Sequence, residues 1–120
     1  MKVAVIGTGY VGLVAGAGLA ETGNNVICVD IDVARIDALR NGRIPIYEPG
    51  LETLVERNIA KGRLNFDTNT KAATEASQVI FLAVPTPQDE DGSADLQHVL
   101  AAARVVATGI NEYKVIVFHY

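Results

Sequence analysis

With 120 residues, 49% of them hydrophobic and 20% charged, the chain is one domain's worth and is not disordered or low-complexity. Its net charge of −4 argues against a nucleic-acid partner, and no apolar run reaches membrane-spanning length, so no membrane partner is expected. A single cysteine excludes an internal disulfide, and the opening MKVAVIG lacks the cleavage-site pattern of a signal peptide; both fit a reducing, cytoplasmic setting.

Val3 to Ile6 is a continuous apolar run bounded by Gly7, the pattern of a central parallel strand covered on both faces. GTGYVG follows at 7–12 and leads into a helix over 11–22 that is apolar nearly all round. Gly16 and Gly18 inside that helix each cost about 1 kcal/mol relative to Ala, which close approach of the helix to a sheet would explain. Gly23 stops the helix, and a second strand runs from Val26 to Asp30.

Asp32 then caps a helix carrying Arg35, Ile36 and Leu39, which ends at Asn41-Gly42. Pro45 and Pro49 make the next stretch irregular. A helix over Leu51–Ala60, a strand over Leu64–Thr68 and a short helix over 70–76 come next. Val79 to Val84 is a strongly apolar strand stopped by Pro85-Thr86-Pro87. After the polar loop QDEDGSAD, Ser93 or Asp95 caps a helix bearing Leu96, Val99, Leu100, Ala103, Val106 and Ala107. Val115 to Phe118 is the last strand.

Alternating strands and helices with right-handed crossovers predict an α/β fold of Rossmann type: a doubly wound, five-stranded parallel sheet in order 3-2-1-4-5. A ligand then lies beyond the C-terminal strand ends, where the order reverses, among Gly7–Gly12, Asp30 and Val84–Pro87. The glycines sit in the strand–turn–helix setting that a dinucleotide site requires. Gly7 turns the chain sharply, Gly9 leaves the backbone open to a pyrophosphate, and Gly12 lets the helix pack closely. The helix beginning at Tyr10 or Val11 aims unpaired N–H groups at phosphates. Asp30, eighteen residues after Gly12, is placed to accept hydrogen bonds from a ribose diol and to repel a 2′-phosphate, favouring NAD over NADP.

GTGYVGL at 7–13, VDID at 29–32, PIYEPGLE at 45–52 and VPTPQDEDGSADL at 84–96 together resemble the UDP-glucose/GDP-mannose dehydrogenase family, in its N-terminal NAD-binding domain. The resemblance spans roughly 1–117. It implies a two-domain enzyme of several hundred residues that oxidises the C6 hydroxyl of a nucleotide sugar twice, with two NAD per turnover. The catalytic cysteine and assisting lysine of such enzymes lie in later sequence. Residues 1–120 would therefore be a truncated NAD-binding domain with no catalytic residue of its own, meeting the nucleotide sugar only through the missing part. Where the family continues with Ser/Thr-Val-Pro after the KVIV strand, this chain reads Phe118-His119-Tyr120. Apolar surface left exposed by truncation would favour a homo-oligomer.

By resemblance, Val11 gives a backbone N–H to the pyrophosphate, Thr86 stands near the nicotinamide half of NAD, and Val84 and Pro85 belong to the same cofactor site. Arg35 matches a basic residue near the adenosine; it either stacks on adenine or reaches the ribose, admits a 2′-phosphate, or is simply solvated. Tyr10 either lines the cleft or packs on its own domain. Cys28, between Ile27 and Val29, reads as a small core hydrophobe and not as a nucleophile. Asp89, Glu90 and Asp91 lack the alternation of a calcium loop, and His98 and His119 have no metal partner at ligand spacing. Glu48 and Glu52 read as loop caps. Two other functions share the glycines and Asp30: a non-catalytic nucleotide-sensing module and the cofactor domain of another NAD-dependent dehydrogenase. Neither accounts for PIYEPGLE and VPTP.

Overall fold

A computed structural model describes residues 1–45, 48–84 and 97–118. The elements follow in chain order: β1 (Lys2–Ile6), α1 (Tyr10–Glu21), β2 (Asn25–Val29), α2 (Val33–Arg40), α3 (Leu51–Ala60), β3 (Leu64–Asp67), α4 (Thr70–Ala76), β4 (Val79–Leu82), α5 (Gln97–Thr108) and β5 (Val115–Phe118). The five strands form one parallel sheet in the order β3-β2-β1-β4-β5, as the alternation predicts. β1 is central, with Val3 opposite Val26 on one side and Val79 on the other.

Side chains alternate across the sheet and divide the core in two. Val3, Val5, Val26, Cys28, Leu64 and Phe66 pack with Leu13 and Ala17 of α1, Ile36 and Leu39 of α2, and Val55 of α3. On the opposite face, Ala4, Ile6, Val29, Ile80 and Leu82 meet Ala73 of α4 and Val106 of α5. Burial on both faces is why these strands read as unbroken apolar runs.

The two helix glycines behave differently. A Cβ on Gly16 would lie 2.5 Å from Cys28 Sγ, so α1 does rest directly on β2 there. Among the described residues, no atom lies within 4 Å of a Cβ added at Gly18, and close approach to the sheet does not explain it. Local signals set most boundaries. Asp32 caps α2 by accepting from the Arg35 N–H at 3.1 Å, and Gly23 and Gly42 follow helix ends at φ +102° and +76°. Asn69 also caps α4, accepting from the Ala72 N–H at 3.0 Å.

Three strands stop earlier than the sequence predicts, β3 by one residue, at Asp67 and not Thr68. β4 ends at Leu82 and not Val84: the Ala83 N–H still reaches the Ile6 carbonyl at 2.8 Å, but Gly7, at φ +106°, turns β1 away and removes the partner. β2 ends at Val29 and not Asp30, because the Asp30 carboxylate takes the Asp32 N–H at 3.0 Å and starts a turn. Pro85, Thr86, Pro87, the acidic run 89–91, Ser93, Asp95, Leu96 and His119 lie outside the described residues.

Candidate functional site

The C-terminal ends of β1, β2 and β4 meet where the strand order reverses, and a cavity of about 430 Å³ opens there. One wall is the β1–α1 turn, Gly7 to Gly9. A Cβ on Gly7 would sit 2.8 Å from the Ala83 carbonyl oxygen, and one on Gly12 would be driven into the Gly7 carbonyl. Both positions therefore require glycine for packing. Among the described residues, a Cβ on Gly9 would meet nothing within 4 Å, and the backbone there is open towards a ligand.

α1 begins directly behind this turn. Its first helical bond runs from the Leu13 N–H to the Gly9 carbonyl at 2.9 Å, no side chain caps the end, and its first turn has no acidic residue. The N–H groups of Tyr10, Val11 and Gly12 precede that bond and, with the positive end of the helix dipole, suit an anion.

Asp30 follows the last residue of β2 and faces the same cavity. Its Oδ2 accepts the Thr8 N–H at 3.1 Å and the Thr8 hydroxyl at 2.8 Å, while Oδ1 accepts the Asp32 N–H at 3.0 Å. Arg35 Nη1 lies 3.4 Å from Oδ2. Burial pushes this carboxyl upward, but the bonds from Asp32 and Thr8 outweigh it and the Arg35 charge adds to them, so its pKa falls below the usual aspartate value. Asp30 is thus a fixed anion with its side chain 14% exposed.

Of the residues singled out from sequence, Gly7, Gly9, Asp30, Arg35 and Val84 line the cavity together. Gly12 lies behind the turn as packing. Tyr10 and Val11 are exposed and outside the cavity lining, with the Tyr10 hydroxyl donating to Glu48 Oε2 at 3.3 Å. Glu48 also accepts the Leu51 N–H through its carbonyl at 3.0 Å, in keeping with loop capping. Pro85 and Thr86 lie outside the described residues. Cys28 is fully buried in the core, and burial pushes its thiol up to about 12.

Sequence reasoning missed Thr8, Ile31, Thr70 and the α5 wall formed by His98, Ala101, Ala102 and Val105. The last four recur at helical spacing, a signal that was available. Ile31, 85% exposed immediately after Asp30, offers an apolar surface at the cavity mouth. Among the described residues, no group of three His, Cys, Asp or Glu could hold a metal ion, and no helix is long and apolar enough to cross a membrane.

Residues 1–119 match the model of the UDP-glucose/GDP-mannose dehydrogenase family, NAD-binding domain. The chain belongs to this family. As its NAD-binding domain, the chain is 54% identical over 116 residues to the UDP-glucose 6-dehydrogenase TuaD of Bacillus subtilis, covering 97% of this chain and 25% of TuaD. Among solved structures, the GDP-mannose dehydrogenase of Pseudomonas aeruginosa, in a ternary complex, superposes with a TM-score of 0.95 at 36% identity. The UDP-glucose dehydrogenase of the archaeon Pyrobaculum islandicum does so with a TM-score of 0.94 at 42% identity. Each of these two matches covers 98% of this chain and 28% of the solved one. The NAD-binding domain in hand therefore spans about a quarter of the length of the relatives it matches.

The residues present fit that cofactor. The turn at Gly9 and the uncapped helix end together suit a pyrophosphate, the carboxylate suits a ribose diol, and the apolar wall from Ile31 to α5 suits an aromatic base.

Proposed function

We propose that this chain is the cofactor domain, residues 1–120, of a nucleotide-sugar 6-dehydrogenase acting on UDP-glucose. The adenosine half of NAD would occupy the cavity, with its pyrophosphate on the β1–α1 turn. The observation that carries this reading is the Asp30 carboxylate, held anionic at the cavity beside the open backbone of Gly9. Asp30 accepts a ribose hydroxyl and repels a 2′-phosphate. Ile31, Val84 and the Ala101–Ala102 face of α5 receive the adenine, while Arg35 neutralises part of the charge around Asp30. The N–H groups of Tyr10 and Val11 face the pyrophosphate, and Pro85 and Thr86 extend the site towards the nicotinamide.

NAD, when bound, supplies the hydride acceptor. The chain's own residues bind and orient it and provide no acid, base or nucleophile for the sugar. Cys28 is unfit as a nucleophile, since burial keeps it a neutral thiol away from the cavity. The nucleotide sugar is met by residues outside this chain. UDP-glucose as substrate is supported by the likeness to TuaD, a cytoplasmic setting by the single reduced cysteine, and homo-oligomer formation by the exposed Val115, Val117 and Phe118 of β5.

Calorimetric titration tests the reading. The chain is expected to bind NAD in preference to NADP and to form no NADH from NAD and UDP-glucose. Failure to bind NAD would remove the cofactor site, and NADH production would place catalytic groups within the chain after all.

A further inference from the structure

Thr8 is a non-glycine residue inside the glycine turn, 1% exposed, and its hydroxyl is spent on one partner. Its N–H is directed to the same atom, Asp30 Oδ2, and is therefore withdrawn from any phosphate. Arg35 approaches that oxygen as well, so among the described residues Oδ2 carries three donors, whereas Oδ1 carries only the Asp32 N–H. A carboxylate oxygen offers about two lone-pair sites. Oδ2 is filled by the protein, and the vacant acceptor position of Asp30 is on Oδ1.

We propose that Thr8 is a positioning residue for cofactor selection: by pinning Oδ2 from the β1–α1 turn, it presents Oδ1 of Asp30 to the adenosine ribose. This rests on the reading that Asp30 meets that ribose. Without the hydroxyl, Oδ2 keeps one neutral anchor, the Thr8 N–H, and Oδ1 keeps the Asp32 N–H, so the carboxylate is held less firmly and can turn towards Arg35. Rotation weakens acceptance of the ribose diol and turns the negative charge away from the place where a 2′-phosphate would sit. Loss of NAD affinity and loss of discrimination against NADP therefore come together. The bond from the hydroxyl also favours the ionised carboxyl, so its removal shifts the acid limb of NAD binding to higher pH.

Among the described residues, other ionisable groups stand around Asp30. Arg35 comes from α2, and the Asp32 carboxylate is turned to the Arg35 N–H. Asp67 at the end of β3 is paired with Arg40 at 3.6 Å, and His98 faces the cavity from α5. Of these groups, only Arg35 shares an oxygen of Asp30 with the Thr8 hydroxyl.

The test is calorimetric titration of the chain and its Thr8→Val, Thr8→Ala, Thr8→Ser and Asp30→Ala variants with NAD and with NADP, each across a pH series. Thr8→Val and Thr8→Ala are expected to lose about tenfold in NAD affinity, the equivalent of 1.4 kcal/mol. Their NAD-over-NADP ratio should fall and the acid limb of NAD binding should rise, while Thr8→Ser restores all three. A merely structural role would lower the unfolding temperature and weaken both dinucleotides alike, leaving the acid limb in place; that pattern overturns the proposal. If Asp30→Ala abolishes the preference for NAD while Thr8→Val and Thr8→Ala do not change it, the Thr8 inference fails and the Asp30 reading stands. If Asp30→Ala leaves the preference intact, or the unmodified chain does not prefer NAD, the Asp30 reading falls and this inference with it. Should neither apolar variant fold, proton NMR of the Thr8 hydroxyl in the unmodified chain decides: a hydroxyl proton protected from exchange and close to the Asp30 carboxyl supports the anchor, and one that exchanges freely with water overturns it.

Discussion

Gly16→Ala, taken alone and together with Cys28→Ala, tests how α1 is seated on the sheet. A methyl at position 16 would lie 2.5 Å from Cys28 Sγ but at ordinary distances of 3.7 and 3.8 Å from Val26 Cγ1 and Val5 Cγ2. The conflict is with a single sulfur atom. Overpacking of this kind costs about 1–3 kcal/mol, and the better helix propensity of Ala returns about 1 kcal/mol. Gly16→Ala should therefore be destabilising by up to about 2 kcal/mol. Cys28→Ala removes a fully buried sulfur and costs roughly 1–2 kcal/mol through the cavity left behind. In the double variant the new methyl enters the vacated space, so stability should return close to that of the parent chain. The coupling energy should then reach about 2–3 kcal/mol in the compensating direction, read from guanidinium unfolding followed by circular dichroism. Effects that add to within about 0.5 kcal/mol would refute the claim that the glycine exists to admit the sulfur. The NAD affinity of the single Gly16→Ala variant should drop as the helix end is displaced, and the double variant should recover it.

Three further outcomes are expected. The folded-state pKa of Asp30 lies below its unfolded value, so its ionised form stabilises the fold above the unfolded pKa and that contribution is lost as pH falls through the folded one. Asp30→Asn should flatten the acid limb of a stability-versus-pH curve and cost stability at neutral pH; an unchanged limb would contradict the assignment. Cys28, buried and with its thiol raised to about 12, should resist a thiol reagent in the native state and react on unfolding, so rapid native labelling would count against its place in the core. Asn58, fully buried, donates to Glu21 Oε2 and the Leu54 carbonyl, both at 2.8 Å, and accepts from Arg63 at 3.2 Å. Asn58→Ala should destabilise the chain by about 2–3 kcal/mol without changing NAD affinity, because this network lies at the end of the strands opposite the cavity; an equal loss of binding would show the two ends to be coupled.

The parts of the fold legible in the sequence were those with a local cause. Val3–Ile6 and Val79–Leu82 announced buried parallel strands because both their faces are covered. Asp32, Gly23 and Gly42 marked helix ends through capping chemistry that acts over a few residues. One explanation does not serve both Gly16 and Gly18, because they point in different directions: helical spacing puts position 16 on the face of Gly12, and position 18 about half a turn away. The role of Thr8 was hidden because its partner Asp30 is 22 residues distant and only the folded turn brings them together. The α5 wall was hidden for the same reason: its spacing shows an apolar face, but not that the face closes on the end of β2. The opposing network of Glu21, Arg57, Asn58 and Arg63 likewise depends on α1 lying beside α3.

The central place of β1 has a consequence for how the chain is made. Its first neighbour, β2, follows after one helix, and the β1–α1–β2 unit is complete by Val29. Its second neighbour, β4, begins only at Val79. About 50 residues of translation separate the two, a delay of roughly 2–10 s at ordinary elongation rates. During that interval the far edge of β1 keeps a row of unpaired backbone groups flanked by Val3, Ala4, Val5 and Ile6. The strand that finally organises the cofactor turn is, while the ribosome is still at work, the nascent chain's open edge and the place where a chaperone has most to protect.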